Sequence, residues 1–169
     1  LKSTTSSGTE REQLESLVQG GLQWLSKTQN EDGGFGDTIL SFSNISTTAL
    51  CWASLCICDR EQSQGKARRE VEAYVEKTTG GLDPESLQKA IIKRYGSDHT
   101  FSVPILMTLA LAGRLGEGKE GWKRVPQLPF QLAAFPKKMF RWLKLPVVSY
   151  AIPALIAIGQ VRHYHCPHW

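Results

Sequence analysis

Gln29, Asp32 and the run Gly33-Gly34-Phe35 sit together just past an amphipathic stretch, in the segment GGLQWLSKTQNEDGGFG over residues 20–36. A glutamine and a carboxylate in a glycine-rich turn could do chemistry or could satisfy backbone groups left over at helix ends. The second group of candidates is His163-Tyr164-His165-Cys166-Pro167-His168, four potential metal ligands within six residues. Spacing this tight gives awkward ligand geometry, and no partner cluster occurs elsewhere, so no metal site is predicted. Asp98-His99 has the types of an acid–base pair, but it reads as a polar linker ahead of a helix.

These groups must be positioned by helices. Leu14, Leu17, Val18, Gly21, Leu22 and Leu25 repeat at helical spacing, which predicts a first helix from about Glu12 to Thr28. Gly21 within that stripe predicts a second helix packed closely against it. Asn44 or Ser46 can cap the next helix, about Ile45 to Asp59, which is apolar nearly all round and is expected to be enclosed by others. A charged amphipathic helix from Gln62 to Thr78 follows, with Ala67, Val71, Tyr74 and Val75 inward and Gly80 or Gly81 closing it. Asp83-Pro84 restarts the chain as a short helix bearing Leu87, Ala90, Ile91 and Ile92. Thr100 to Gly113 reads as another nearly all-apolar helix with Pro104 in its first turn. Residues 114–136 read as loop, and Pro146 to Val161 as a last apolar helix kinked at Pro153. No strand is evident, and the alternation of one-faced and all-apolar helices predicts an all-α fold with outer and inner helix layers.

The chain has 169 residues, 41% hydrophobic and 21% charged, enough for one domain with a sizeable core. Cys51, Cys56 and Cys58 crowd one helical run, where near neighbours rarely pair, so they read as small buried hydrophobes in a reducing compartment. Charge is uneven. After Glu120 the chain carries seven Lys or Arg and no carboxylate, whereas the first 120 residues are net −3. An anionic partner is therefore expected at the C-terminal end. There Phe135, Met139, Phe140, Trp142, Leu143 and Leu145 interleave with Lys137, Lys138, Arg141 and Lys144, the composition of an interfacial membrane segment. No nucleic-acid module is recognisable. Leu145 to Gly159, interrupted by Tyr150 and Pro153, is short of the roughly 20 residues of a spanning helix. Residues 1–11 are Ser/Thr-rich and expected to be disordered, 163–169 to be a truncated loop or tail, and the start without Met hints at a partial sequence.

Gly21-x-x-Trp24-Leu25-x3-Gln29-x3-Gly33-x-Phe35 resembles the Gln–Trp repeat of the triterpene cyclases, squalene–hopene cyclase and oxidosqualene cyclase. Phe35 stands where Trp is usual, and Gly20 where a basic residue is usual. Thr79-Gly-Gly-Leu82, Phe101, Leu109-Ala-Leu-Ala-Gly113, Trp122-Lys-Arg-Val-Pro-Gln-Leu-Pro129, Phe135-Pro-Lys-Lys-Met-Phe140 and Val147-Val-Ser-Tyr-Ala151 resemble, in that order, the early region of squalene–hopene cyclases. The likeness covers residues 12–160.

The resemblance implies an incomplete α/α-toroid over residues 12–162. Gly21, Trp24, Gln29, Gly33 and Phe35 would form a helix clamp, with an aromatic flat on the amide. Phe101, Leu106, Met107 and Thr108 lie on the segment that in the family contributes to the cavity and access channel; from composition alone they read as packing. It also implies squalene or a related isoprenoid as substrate, a monotopic membrane contact on the cytoplasmic side, and no cofactor. The family's acid is the central Asp of an Asp-x-Asp-Asp motif. This chain has Asp32, Asp37, Asp59, Asp83 and Asp98, none in that pattern. It is therefore expected to be inactive alone and to need the remainder of the enzyme. Protein prenyltransferase β-subunits share the toroid and a similar Gln-x-x-Asp-Gly-Gly-Phe turn, and are the alternative, along with a non-catalytic isoprenoid- or membrane-binding helical module.

Overall fold

The computed structural model describes residues 8–59, 63–128 and 152–167. Every regular element among them is helical, so the all-α expectation stands. The chain divides near Leu82 into two compact units.

Unit 1 contains α1 (Gly8–Thr28), α2 (Ile45–Cys58) and α3 (Gly65–Thr79). Helix α1 opens four residues before the predicted start. Asn44 is the cap of α2, its Oδ1 accepting from the amides of Ser46 (3.1 Å) and Thr47 (3.0 Å). Helix α2 packs on both α1 and α3. Trp52, Ala53, Leu55, Val71 and Val75 are its fully buried centre, and Trp52 Nε1 donates to Glu72 Oε1 at 3.2 Å. The expectation that α2 is enclosed on all sides is not met at Leu50 and Ile57, which are exposed. Gly80 forms the C-cap of α3.

Unit 2 contains α4 (Pro84–Tyr95), α5 (His99–Leu111), α6 (Gly118–Lys123) and α7 (Ile152–His165). Asp83 caps α4 by accepting from Glu85 and Ser86 amides, with Pro84 in the first turn where no N–H is needed. Asp98 is the cap of α5, accepting from Thr100 N at 2.9 Å, which accounts for the Asp98-His99 pair without catalysis. Because α5 starts at His99, Pro104 falls in its second turn. Helix α5 packs on α4, α6 and α7, burying Val103, Leu106 and Leu109.

Two departures in unit 2 share one cause. The span 114–136 was expected to be loop, but Gly118–Lys123 is helical; and α7 continues through His163, Tyr164 and His165, where a loop or tail was expected. In each case a long-range contact fixes the segment: Trp122, 6% exposed, stacks on His165 with ring centroids 4.4 Å apart and planes 3° from parallel. Local propensity carries no record of such a partner.

Candidate functional site

The turn after α1 is built from its own polar groups. Gln29 Nε2 donates to Gly33 O (2.8 Å) and to Ala67 O (3.0 Å), so one amide joins the turn to the first turns of α3. Asp32 Oδ1 accepts from Gly34 N (3.0 Å) and from the Ser43 hydroxyl (2.6 Å). Asn30 Nδ2 donates to Ser41 O and Ser43 Oγ, and the Phe35 amide donates to Thr48 Oγ1 at 2.9 Å. Gln29 Nε2 and Asp32 Oδ1 are thus both engaged in holding the turn.

Gly33 is required twice over. Its φ is +81°, and a Cβ there would lie 2.9 Å from the Glu70 carbonyl carbon of α3. Phe35 is buried at 5% exposure. The other two members of the sequence pattern do not join this cluster. Trp24 is 57% exposed, and a Cβ on Gly21 would meet nothing within 4 Å. The close helix packing predicted at Gly21 is therefore corrected: α1 turns Leu22, not Gly21, toward the interior of unit 1.

The residues expected at a cavity or channel do not converge either. Leu106 is fully buried in unit 2, whereas Phe101 on the same helix is 58% exposed and stacks on Tyr95 at 5.8 Å. Met107 and Thr108 are half-buried, and the Thr108 hydroxyl donates to Pro104 O, an intrahelical bond. A shallow polar groove of about 380 Å³ in unit 2 is lined instead by Glu85, Gln88, Lys89, Glu120, Lys123 and Arg124. Four of its five charges pair within the protein, Lys89 with Glu85 (2.6 Å) and Lys123 with Glu120 (2.5 Å), and the Arg124 guanidinium donates to Leu115 O and Glu120 O. Phe135, Lys137, Lys138, Phe140, Arg141, Trp142 and Lys144 lie outside the described residues.

Among the described residues no group of three His, Cys, Asp or Glu is placed to hold a metal ion. Cys166 is buried, and His165 is stacked on Trp122 and edge-on to Tyr164. The four cysteines are free thiols, and burial pushes the Cys51 thiol up to about 11, leaving it protonated and unreactive at neutral pH. Asp59, buried at 5% exposure, accepts from Ser63 N, Ser63 Oγ and Gln64 N. It fastens the entrance of α3.

Two polar anchors escaped sequence reasoning. Arg162, 4% exposed, donates from Nε to Val125 O at 3.1 Å and from its terminal nitrogen to Cys166 O. Thr48, fully buried, exchanges bonds with both backbone groups of Phe35. Arg162 had a signal, as the lone charge closing an apolar helix; Thr48 had none. No helix among the described residues is long and apolar enough to cross a membrane. No known protein family, curated protein or solved structure matches the chain.

Proposed function

We propose that this chain is the N-terminal portion of a squalene–hopene-cyclase-like triterpene cyclase, contributing helices of an α/α-toroid to an enzyme whose acid lies elsewhere. The observation that supports this reading is the Gln29 amide bridging Gly33 O and Ala67 O. The motif that resembles the family's repeat acts here as a fastener between successive helical elements, the role its residue types suit. The proposed reaction begins with proton transfer from a carboxylic acid to a squalene double bond, leaving a carboxylate and a tertiary carbocation that each ring closure passes on to a new carbon until loss of a proton or capture of water ends the cascade. An alkene is so weak a base that the acid must be strongly activated. Asp59 already accepts three hydrogen bonds, and the other aspartates of the described residues are exposed. The chain alone is therefore inactive in this reading, and its basic aromatic segment, residues 135–144, meets the cytoplasmic membrane surface where squalene resides.

A non-catalytic isoprenoid-binding helical module is the second reading, favoured by the internal pairing of every charge that lines the unit 2 groove except Arg124, whose guanidinium donates to Leu115 O and Glu120 O. One experiment separates the two. Purified chain incubated with squalene yields no cyclised product by mass spectrometry, and hopene forms when the chain is co-expressed with a cyclase segment bearing Asp-x-Asp-Asp. Hopene from the chain alone overturns the fragment reading; no hopene from the pair favours the module.

A further inference from the structure

The groove in unit 2 is lined without a single apolar side chain: Glu85, Gln88 and Lys89 stand on α4, Glu120 and Lys123 on α6, and Arg124 just after it. At about 380 Å³ it is at the small end of ligand pockets, and its lining suits a small polar ligand, not a hydrocarbon. Three cations face two carboxylates there, a surplus of one positive charge. The surplus sits on Arg124. Lys89 and Lys123 pair with Glu85 and Glu120, whereas Arg124 forms no ion pair among the described residues. One side of its guanidinium is fixed, Nη1 donating to Leu115 O at 3.3 Å and to Glu120 O at 3.0 Å. Its backbone is fixed too, because Gln88 Nε2 donates to Arg124 O at 2.7 Å. Nε and Nη2 donate to no described residue. These two nitrogens are the side-on edge of a guanidinium, the fork that meets both oxygens of a carboxylate in parallel bonds. A fork already held in place loses little freedom on binding.

We propose that this groove is a binding site for a small hydroxycarboxylate, its carboxylate seated on Nε and Nη2 of Arg124 and its hydroxyl donating to Gln88 Oε1. Gln88 uses its amide nitrogen on Arg124 O, and its carbonyl oxygen accepts from no described residue. Lys89 and Lys123 add positive charge around the carboxylate. Their own pairs are with side chains 66% exposed, and exposed pairs hold weakly enough to yield to a ligand. The two glutamates set the ligand's charge. A monoanion cancels the surplus, whereas a dianion or a polyanion meets Glu85 and Glu120 as well and is repelled. Glu120 is the competitor for the fork: Lys123 first, and Arg124 after it, hold its carboxyl below the ordinary value. The site is distinct from the Gln29 turn and requires no step of the proposed cyclisation.

Amide-resolved NMR titration of the isotope-labelled full chain with sodium lactate at neutral pH tests this, with sodium chloride at matched ionic strength as the control. Saturable shifts at the amides of residues 85–89 and 120–124 are expected, with a Kd of about 1 mM. Arg124→Lys keeps the charge but loses the fork, and weakens binding at least about tenfold. That variant also loses the tie to Leu115 O, so Glu120→Gln gives an independent reading. Glu120 is an exposed side chain, and its neutralisation removes the competitor without touching the fold, so lactate binds about threefold more tightly or better. Acetate, which lacks the hydroxyl, and inorganic phosphate both bind more weakly than lactate. The site is overturned by the absence of saturable shifts up to about 50 mM lactate, by equal shifts with chloride, or by an Arg124→Lys affinity equal to the parent's. Weakened binding in Glu120→Gln overturns the charge balance on which it rests. Phosphate binding more tightly than lactate overturns the carboxylate assignment, and acetate equal to lactate overturns the part given to Gln88.

Discussion

Gln29 holds two carbonyls from separate parts of unit 1 with a single amide group. Gln29→Met keeps the side-chain length but leaves both acceptors short of a donor, and is expected to cost about 1–3 kcal/mol in urea denaturation. Gly33→Ala should cost more, since a φ of +81° and the nearby Glu70 carbonyl both oppose a Cβ. A stability equal to wild type in both variants would reject the fastening role of the turn. Asp83 supports a pH prediction. The Ser86 side chain and amide, with the Glu85 amide, hold its carboxyl below its ordinary value of 3.8. The charged cap therefore contributes in full above that value and is lost as pH falls through the lower folded-state value. Amide exchange in the first turn of α4 should quicken over that acidic interval. Asp83→Asn, which caps without ionising, should remove the pH dependence at this site.

Among the elements, caps and helix bodies were legible and tertiary docking was not. Asn44, one of the two caps the sequence offers for α2, and Asp83 stand immediately before helical runs and receive the amides their types predict, whereas Asp98, which reads as part of a polar linker, proves to be the cap of α5. Helix α6 was missed because six residues with two glycines have little helical signal. Its helicity comes from the Trp122–His165 stack and from Arg162, which ties the end of α7 to Val125 O. Arg162→Met retains the apolar stem but strips the donors from two buried carbonyls. It should lower stability by about 2 kcal/mol and release Trp122 fluorescence from its stacked environment. Unchanged Trp122 emission and midpoint would show that α6 is held by apolar contacts alone.

For the molecule as a whole, the separation of charge is its clearest property. The seven cations beyond Glu120 answer to no carboxylate in the same stretch. If the proposed membrane contact operates, sedimentation with anionic liposomes falls when Lys137, Lys138, Arg141 and Lys144 become Ala, and also falls as salt rises. Equal sedimentation of that variant and the parent chain rejects the contact.

The sequence by itself determined that the chain is helical, where most helices begin, and that a glycine turn with a polar clamp follows α1. These are local matters, governed by periodicity, capping and the φ that Gly33 alone tolerates. Only the tertiary structure decided which apolar stripe finds a neighbour. Leu22 and Leu14 belong to the same helical repeat, yet α2 covers the first and leaves the second in water. Trp122 and Arg162 likewise take their roles from residues some forty positions away. Burial is a property of pairs of elements, and a one-dimensional pattern names a face without naming what will cover it.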